Sequence, residues 1–177
     1  EEEPEPPIRN LYSMGNEVLV YDKDTNISLF ETDLATLNSD NWLNGSIIDV
    51  YLTFVSNASG PSKLAKAVST FFYTSLARHG YDRAKKYTRR LDLFKTDLLL
   101  IPINKPGHWI LVTCERLGGS SVEICLYDPK YGDRFQSVLT EIDQFLSLNF
   151  EESYGHTWDA QRTLTVKKDI PRQNNDH

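Results

Sequence analysis

Apolar residues along the chain recur at two periods, and the switches between them mark out its elements. Val18-Leu19-Val20-Tyr21 is a short strand-like run, and polar residues 22–26 read as a turn. Thr32 is placed to cap a short helix carrying Leu34 and Leu37. After Ser46, the residues Ile47, Ile48, Tyr51, Leu52 and Val55 recur at helical spacing, which predicts a helix with one apolar face for the core. Residues 57–62 read as a loop, and Phe71, Phe72 and Leu76 form an apolar cluster. The period then changes. Leu98-Leu99-Leu100-Ile101-Pro102-Ile103 is continuously apolar, as in a strand buried on both faces. Residues 104–107 read as a turn, and strands over 109–114 and 122–127 flank Gly118-Gly119 as an antiparallel hairpin. From Phe135 the helical period returns through Val138, Leu139, Ile142, Phe145 and Leu146. Residues 163–166 then alternate like an edge or half-exposed strand. The pattern is that of an α/β (α+β) domain, a central mixed sheet packed by helices.

The opening Glu1-Glu2-Glu3-Pro4-Glu5-Pro6-Pro7 is acidic and broken by proline, so residues 1–16 read as a flexible linker and residues 17–177 as one domain. Composition is that of a globular protein, with 40% hydrophobic residues, 25% charged and a net charge of −6. No run approaches the roughly 18 apolar residues of a membrane span. Two cysteines, Cys114 and Cys125, are fewer than a secreted domain of this size carries, which points to a reducing, intracellular setting. Their spacing fits no zinc pattern, so no metal is expected. Six basic residues lie between Arg78 and Arg90, opposed only by Asp82. They read as a solvated helix face or as a patch for an acidic partner, and nucleic acid is not the expected partner of so acidic a chain.

Candidate chemistry sits at the hairpin. His108 is where a turn enters a buried strand, and Asp128 is where the hairpin's second strand ends. The start of one antiparallel strand lies beside the end of its partner, so the fold brings these two side chains together. A carboxylate on one imidazole nitrogen fixes the tautomer and leaves the other nitrogen to act as general base.

The surroundings of this pair are similar to a known family. Ile101-Pro102-Ile103, His108-Trp109-Ile110-Leu111-Val112 and Leu126-Tyr127-Asp128 resemble the His-Trp strand and Tyr-Asp pair of the sentrin-specific (SUMO-specific, Ulp-type) cysteine proteases. Asp33-Leu34, Asn41-Trp42-Leu43-Asn44, Ile47-Ile48-Asp49 and Tyr51-Leu52 resemble that family's upstream Trp-Leu-Asn segment. Phe71-Phe72-Tyr73 through Leu91-Asp92-Leu93-Phe94 resembles its middle stretch, and Ile170-Pro171-Arg172-Gln173-Asn174-Asn175 the segment that precedes its Asp-Cys-Gly. The resemblance runs from Leu29 to His177, with all four landmarks in order.

It implies a papain-like, Ulp-type fold whose cysteine-bearing C-terminal part lies just beyond His177. It implies His108 as general base, Asp128 as its orienter, Gln173 as an oxyanion-hole donor, and Trp42 and Trp109 as a narrow tunnel for a Gly-Gly tail. Cys114 and Cys125, inside strands, read as small buried hydrophobes and not as the nucleophile. Gly45 stands where the family's Trp-Leu-Asn is followed by an Asp that contacts the modifier, which weakens an assignment to SUMO over its relatives. Arg172 in place of Gln is a milder departure. The remaining histidines, His79, His156 and His177, read as surface residues. The implied function is a thiol isopeptidase and precursor-processing protease acting after the Gly-Gly of a ubiquitin-like protein, SUMO first among them. Such an enzyme needs no cofactor, metal, membrane or nucleic acid, acts as a monomer, and is nuclear or cytoplasmic. The competing reading is a protease-like module that binds a ubiquitin-like protein without cutting it.

Overall fold

A computed structural model describes residues 18–22, 27–38, 41–58, 60 and 64–173. The linker expected over residues 1–16 lies outside them, as do Asn174, Asn175 and His177. Strands β1 (Val18–Asp22) and β2 (Ile27–Phe30) pair antiparallel as a separate ribbon. The main sheet has five strands in sequential order: β3 (Ala65–Ala67), β4 (Leu98–Lys105), β5 (His108–Glu115), β6 (Ser121–Tyr127) and β7 (Gln161–Lys167). The three central strands pair antiparallel, and both edge strands join parallel to their neighbours, so the sheet is mixed as the pattern predicts.

Side-chain alternation divides this sheet into two faces. Leu99, Ile101 and Ile103 of β4, Ile110 and Val112 of β5, and Val122, Ile124 and Leu126 of β6 belong to one buried cluster. That cluster includes Val138, Leu139, Ile142, Phe145 and Leu146 from α5 (Ser137–Tyr154), and Phe72 from α3 (Phe71–His79). Phe72 and Phe145 meet edge to face at 4.8 Å. The opposite face presents Pro102, Trp109, Leu111 and Tyr127 to a groove also lined by Ile48, Leu52, Pro129, Ile170 and Pro171.

The structure corrects several local expectations. Thr32 does not cap a helix; it lies inside α1 (Glu31–Leu34), which continues as a 3-10 turn over Ala35–Leu37. Phe30 holds the cap position, and the Asp33 carboxylate reaches back to accept its N–H at 2.9 Å. The turn over 104–107 narrows to Pro106-Gly107. β4 runs to Lys105, which pairs directly with His108, and Gly107 supplies the positive φ of 64° that such a tight turn needs. The helix after Asn44, α2 (Gly45–Ala58), forms but has no buried residue, and Tyr51 is 65% exposed. Its apolar face therefore is not part of the core.

Candidate active site

Strand register and one turn build the site. β5 pairs with β6 so that Leu111 faces Tyr127, which puts His108, three residues earlier, close to Asp128 just past the end of β6. His108 Nε2 lies 2.8 Å from Asp128 Oδ1, and both side chains are buried. The same Oδ1 accepts the N–H groups of Lys130 and Tyr131, each at 2.9 Å. An Asp bonded to the backbone two and three residues on closes a local turn, and Pro129 inside it stiffens the chain. Burial pushes the Asp128 carboxyl up, but the N–H bonds from Tyr131, Lys130 and His108 outweigh it and hold the group below the ordinary carboxylate range. An ionised carboxylate only accepts, so Nε2 carries the ring proton. Nδ1 is then the basic nitrogen, and it makes no hydrogen bond among the described residues.

Tyr131 is a residue that the motif reading passed over. Its N–H holds Asp128, while its ring stands edge to face on the His108 ring at 5.1 Å and 85°. Lys130 Nζ and Arg134 lie over that ring at 5.1 and 4.9 Å. The visible signal was the Asp-Pro-Lys-Tyr-Gly sequence, whose Asp and Pro prescribe the turn. Lys105, cross-strand from His108, points its Nζ at the Tyr73 hydroxyl at 3.3 Å, and Tyr73 in turn donates to Glu141 at 2.9 Å. Burial lowers the Lys105 pKa despite Glu141.

The upstream segment is tied to the hairpin. Trp109 Nε1–H donates to the Leu43 carbonyl at 2.9 Å, which docks the peptide next to Trp42. Trp42 is 48% exposed, and its Cη2 would lie 4.0 Å from a Cβ placed on Gly107, so its ring covers the turn that leads into His108. The segment is held from behind by Asp33, whose Oδ1 accepts the Asn44 amide, and by Asn41, whose amide donates to the Ala35 carbonyl at 2.8 Å. Asn44 Oδ1 accepts the Ile47 N–H at 3.1 Å and so caps α2. Gly45 has its own reason: a Cβ there would meet Thr70 Oγ1 at 2.7 Å. Thr70 is itself held by Asp49, which accepts its N–H at 2.8 Å. A side chain at position 45 therefore requires the α2–α3 junction to shift.

Gln173 reaches the same corner through its backbone, its N–H donating to the Pro129 carbonyl at 3.0 Å. Both cysteines are buried. Burial raises both thiols, with Asp143 adding to the rise at Cys114 and Glu123 at Cys125, so neither offers a thiolate near neutral pH. Among the described residues no group of three or more His, Cys, Asp or Glu could hold a metal, and no helix is long and apolar enough to cross a membrane.

A buried His–Asp pair on a mixed sheet, flanked by an exposed Trp, has the arrangement of a general base and its orienting carboxylate. The Ulp1 protease family, C-terminal catalytic domain, matches residues 41–177, and the chain belongs to that family. A sentrin-specific protease of Caenorhabditis elegans is 33% identical over 95% of this chain. Sentrin-specific protease 5 of Mus musculus is 36% identical over 81% of it. The chain spans 24% and 18% of the length of these two relatives. Among solved structures, a de-sumoylating protease superposes with a TM-score of 0.75 at 24% identity, over 86% of this chain and 64% of that one. The C-terminal Ulp1 protease domain, solved in complex with Smt3, the yeast ortholog of SUMO, gives a TM-score of 0.72 at 26% identity. That match covers 93% of this chain and 71% of the solved one. The expected α/β fold is thus the fold found.

Proposed function

We propose that the protein containing this chain is a thiol isopeptidase that cuts after the C-terminal Gly-Gly of a ubiquitin-like modifier, with SUMO as the modifier. The observation that carries this reading is the buried His108–Asp128 pair with Nδ1 left free, in a chain of the Ulp1 family. A cysteine thiol from the segment that the resemblance puts after His177 gives its proton to His108 Nδ1. The thiolate then attacks the terminal Gly carbonyl carbon, and the C–S bond forms as the carbonyl oxygen takes the negative charge. Collapse breaks the C–N bond. His108 passes its proton to the departing lysine amine and leaves a thioester. Water, deprotonated by His108, attacks the thioester, which releases the modifier's carboxylate and the thiol. Asp128 stays ionised throughout and stabilises the imidazolium. Gln173 serves as oxyanion donor. Trp42 and Trp109 clamp the Gly-Gly tail, since only residues without side chains slide between two indoles.

The test uses full-length protein and a SUMO probe ending in Gly-Gly vinyl sulfone. A covalent adduct that forms with the parent protein and is lost in His108→Ala supports the reading. Non-covalent SUMO binding with no adduct would replace it with the binding-only module, and adducts with other modifiers alone would move the substrate away from SUMO.

A further inference from the structure

We infer that the cavity between α3 and the helical turns that follow it is a binding site for an acidic peptide segment carrying an apolar side chain. Gly80, at φ 75°, turns the chain sharply between α3 and α4 (Tyr81–Ala84), so that cations from both sides face one space. That space, about 380 Å³, is lined by Arg78 and His79 at the end of α3, Arg83 of α4 and Lys86 of the next turn. Phe71, Thr74, Ser75 and Tyr87 complete its walls.

The charges of this cavity are not answered by the described residues. Arg78, Arg83 and Lys86 have no acidic partner among the described residues. The neighbouring cavity shows what a self-neutralised site looks like. It shares Lys86 with the first and holds Lys85 and Arg89 together with Asp82 and Glu152, and Lys85 bridges the two acids at 3.2 and 2.8 Å. Two adjacent hollows on one basic segment thus differ in whether they contain their own carboxylates. In a chain of net charge −6, three clustered cations without counter-charges define the local field, and that field selects carboxylates.

The apolar part of the site narrows the partner. Phe71 is 65% exposed on the cavity wall, and Lys86 Nζ sits 4.8 Å over the Tyr87 ring. A ligand that pairs with the cations and covers Phe71 must combine carboxylates with an apolar side chain. Single-stranded nucleic acid is served instead by a long basic groove with successive stacking rings. This hollow is short and has a single strongly exposed ring.

The experiment is fluorescence anisotropy of a fluorescein-labelled Glu-Glu-Glu-Leu-Glu-Glu peptide with the full chain at low salt. Saturable binding is expected that weakens roughly tenfold or more in Arg83→Glu/Lys86→Glu and falls as salt rises. Arg89→Glu/Arg90→Glu makes the same change in net charge outside the cavity and is expected to weaken binding less than about threefold. Phe71→Ala is expected to weaken the leucine-containing peptide several-fold and to leave hexaglutamate unchanged. Equal losses from the two double variants, absence of saturable binding, or equal affinity for an oligodeoxythymidylate of matched charge would each overturn the assignment. All of these substitutions are at exposed positions, and a circular dichroism spectrum matching the parent's shows that each variant is folded.

Discussion

The two faces of the central sheet are built on different terms. One is sealed: α5 places five buried residues against Ile101, Ile110, Val112, Ile124 and Leu126, and Phe72 and Phe145 lock it with an edge-to-face contact. The other is open: α2 carries its own apolar repeat through Ile47, Ile48, Tyr51, Leu52 and Val55, yet buries none of its residues, and the groove beneath it is lined by apolar side chains. Periodicity therefore reports that a helix has an apolar stripe and not what covers it. The site lies where the faces meet. His108 and Trp109 are consecutive, so β-strand alternation sends the imidazole to the sealed face and the indole to the open one. The base is held rigidly among packed groups, while the indole stays where a substrate can reach it.

The largest expected effects separate the faces by stability. Phe145→Ala should cost about 3–5 kcal/mol, because it deletes a buried ring and leaves a cavity beside Phe72. Its urea midpoint should fall accordingly, with an unchanged slope. Equal costs from Phe145→Ala and Tyr51→Ala would erase the contrast between faces.

Next comes the seam. Asp128→Ala should cost about 1–3 kcal/mol at neutral pH, because it strands the buried His108 Nε2–H and the N–H groups of Lys130 and Tyr131. The sign of its pH dependence follows from the lowered carboxyl. A group held below its unfolded value stabilises above the ordinary carboxyl range, and the contribution is lost as pH falls through the folded value. The gap between parent and variant in urea titrations should thus be full at pH 7 and shrink progressively below about pH 4. A gap that held constant down to about pH 2 would remove ionisation from the account of this pair.

Tyr131 gives a smaller effect with a sharper readout. Tyr131→Phe keeps the ring, and the His108 signals in a long-range ¹H–¹⁵N spectrum should stay those of the Nε2–H tautomer. Tyr131→Leu removes the edge-to-face support and should mix the tautomers, at a stability cost of about 1 kcal/mol. Identical spectra for the two variants would assign the orientation of His108 to Asp128 alone.

Much of this was legible from the residues. β4, β5 and β6 appear within a residue or two of their expected positions, because continuous burial leaves one reading each; α5 has the expected apolar face but runs on past Leu146 to Tyr154, through a stretch that the expected apolar repeat does not mark. The meeting of His108 and Asp128 followed from hairpin geometry. What was not legible depends on contacts distant in sequence or on competition between neighbours. Asp33 displaced Thr32 as the capping group because its carboxylate reaches both Phe30 and Asn44. Gly45 reads as a departure from a motif until Thr70 is seen against it. The backbone bond from Gln173 to Pro129 joins residues 44 apart, and no local pattern announces it. The sequences of Trp42 and Trp109 likewise gave no hint that an indole N–H would be the strap, through the Leu43 carbonyl.

The last prediction tests the open face directly. Phe54 is 50% exposed on α2, so replacing it with Ser forfeits only the buried half of the ring and leaves a polar group at a position already open to water. Serine and phenylalanine have about the same helix propensity. The change in urea midpoint should therefore correspond to no more than about 2 kcal/mol, the transfer cost of half a ring. A core helix would answer differently, since losing a buried ring costs several kcal/mol wherever it sits. If Phe54→Ser in this chain cost as much as Phe145→Ala, α2 would have to be packed in solution against something that the described residues do not supply. The contrast between faces would then be one of which partner covers each, and not of whether either is covered.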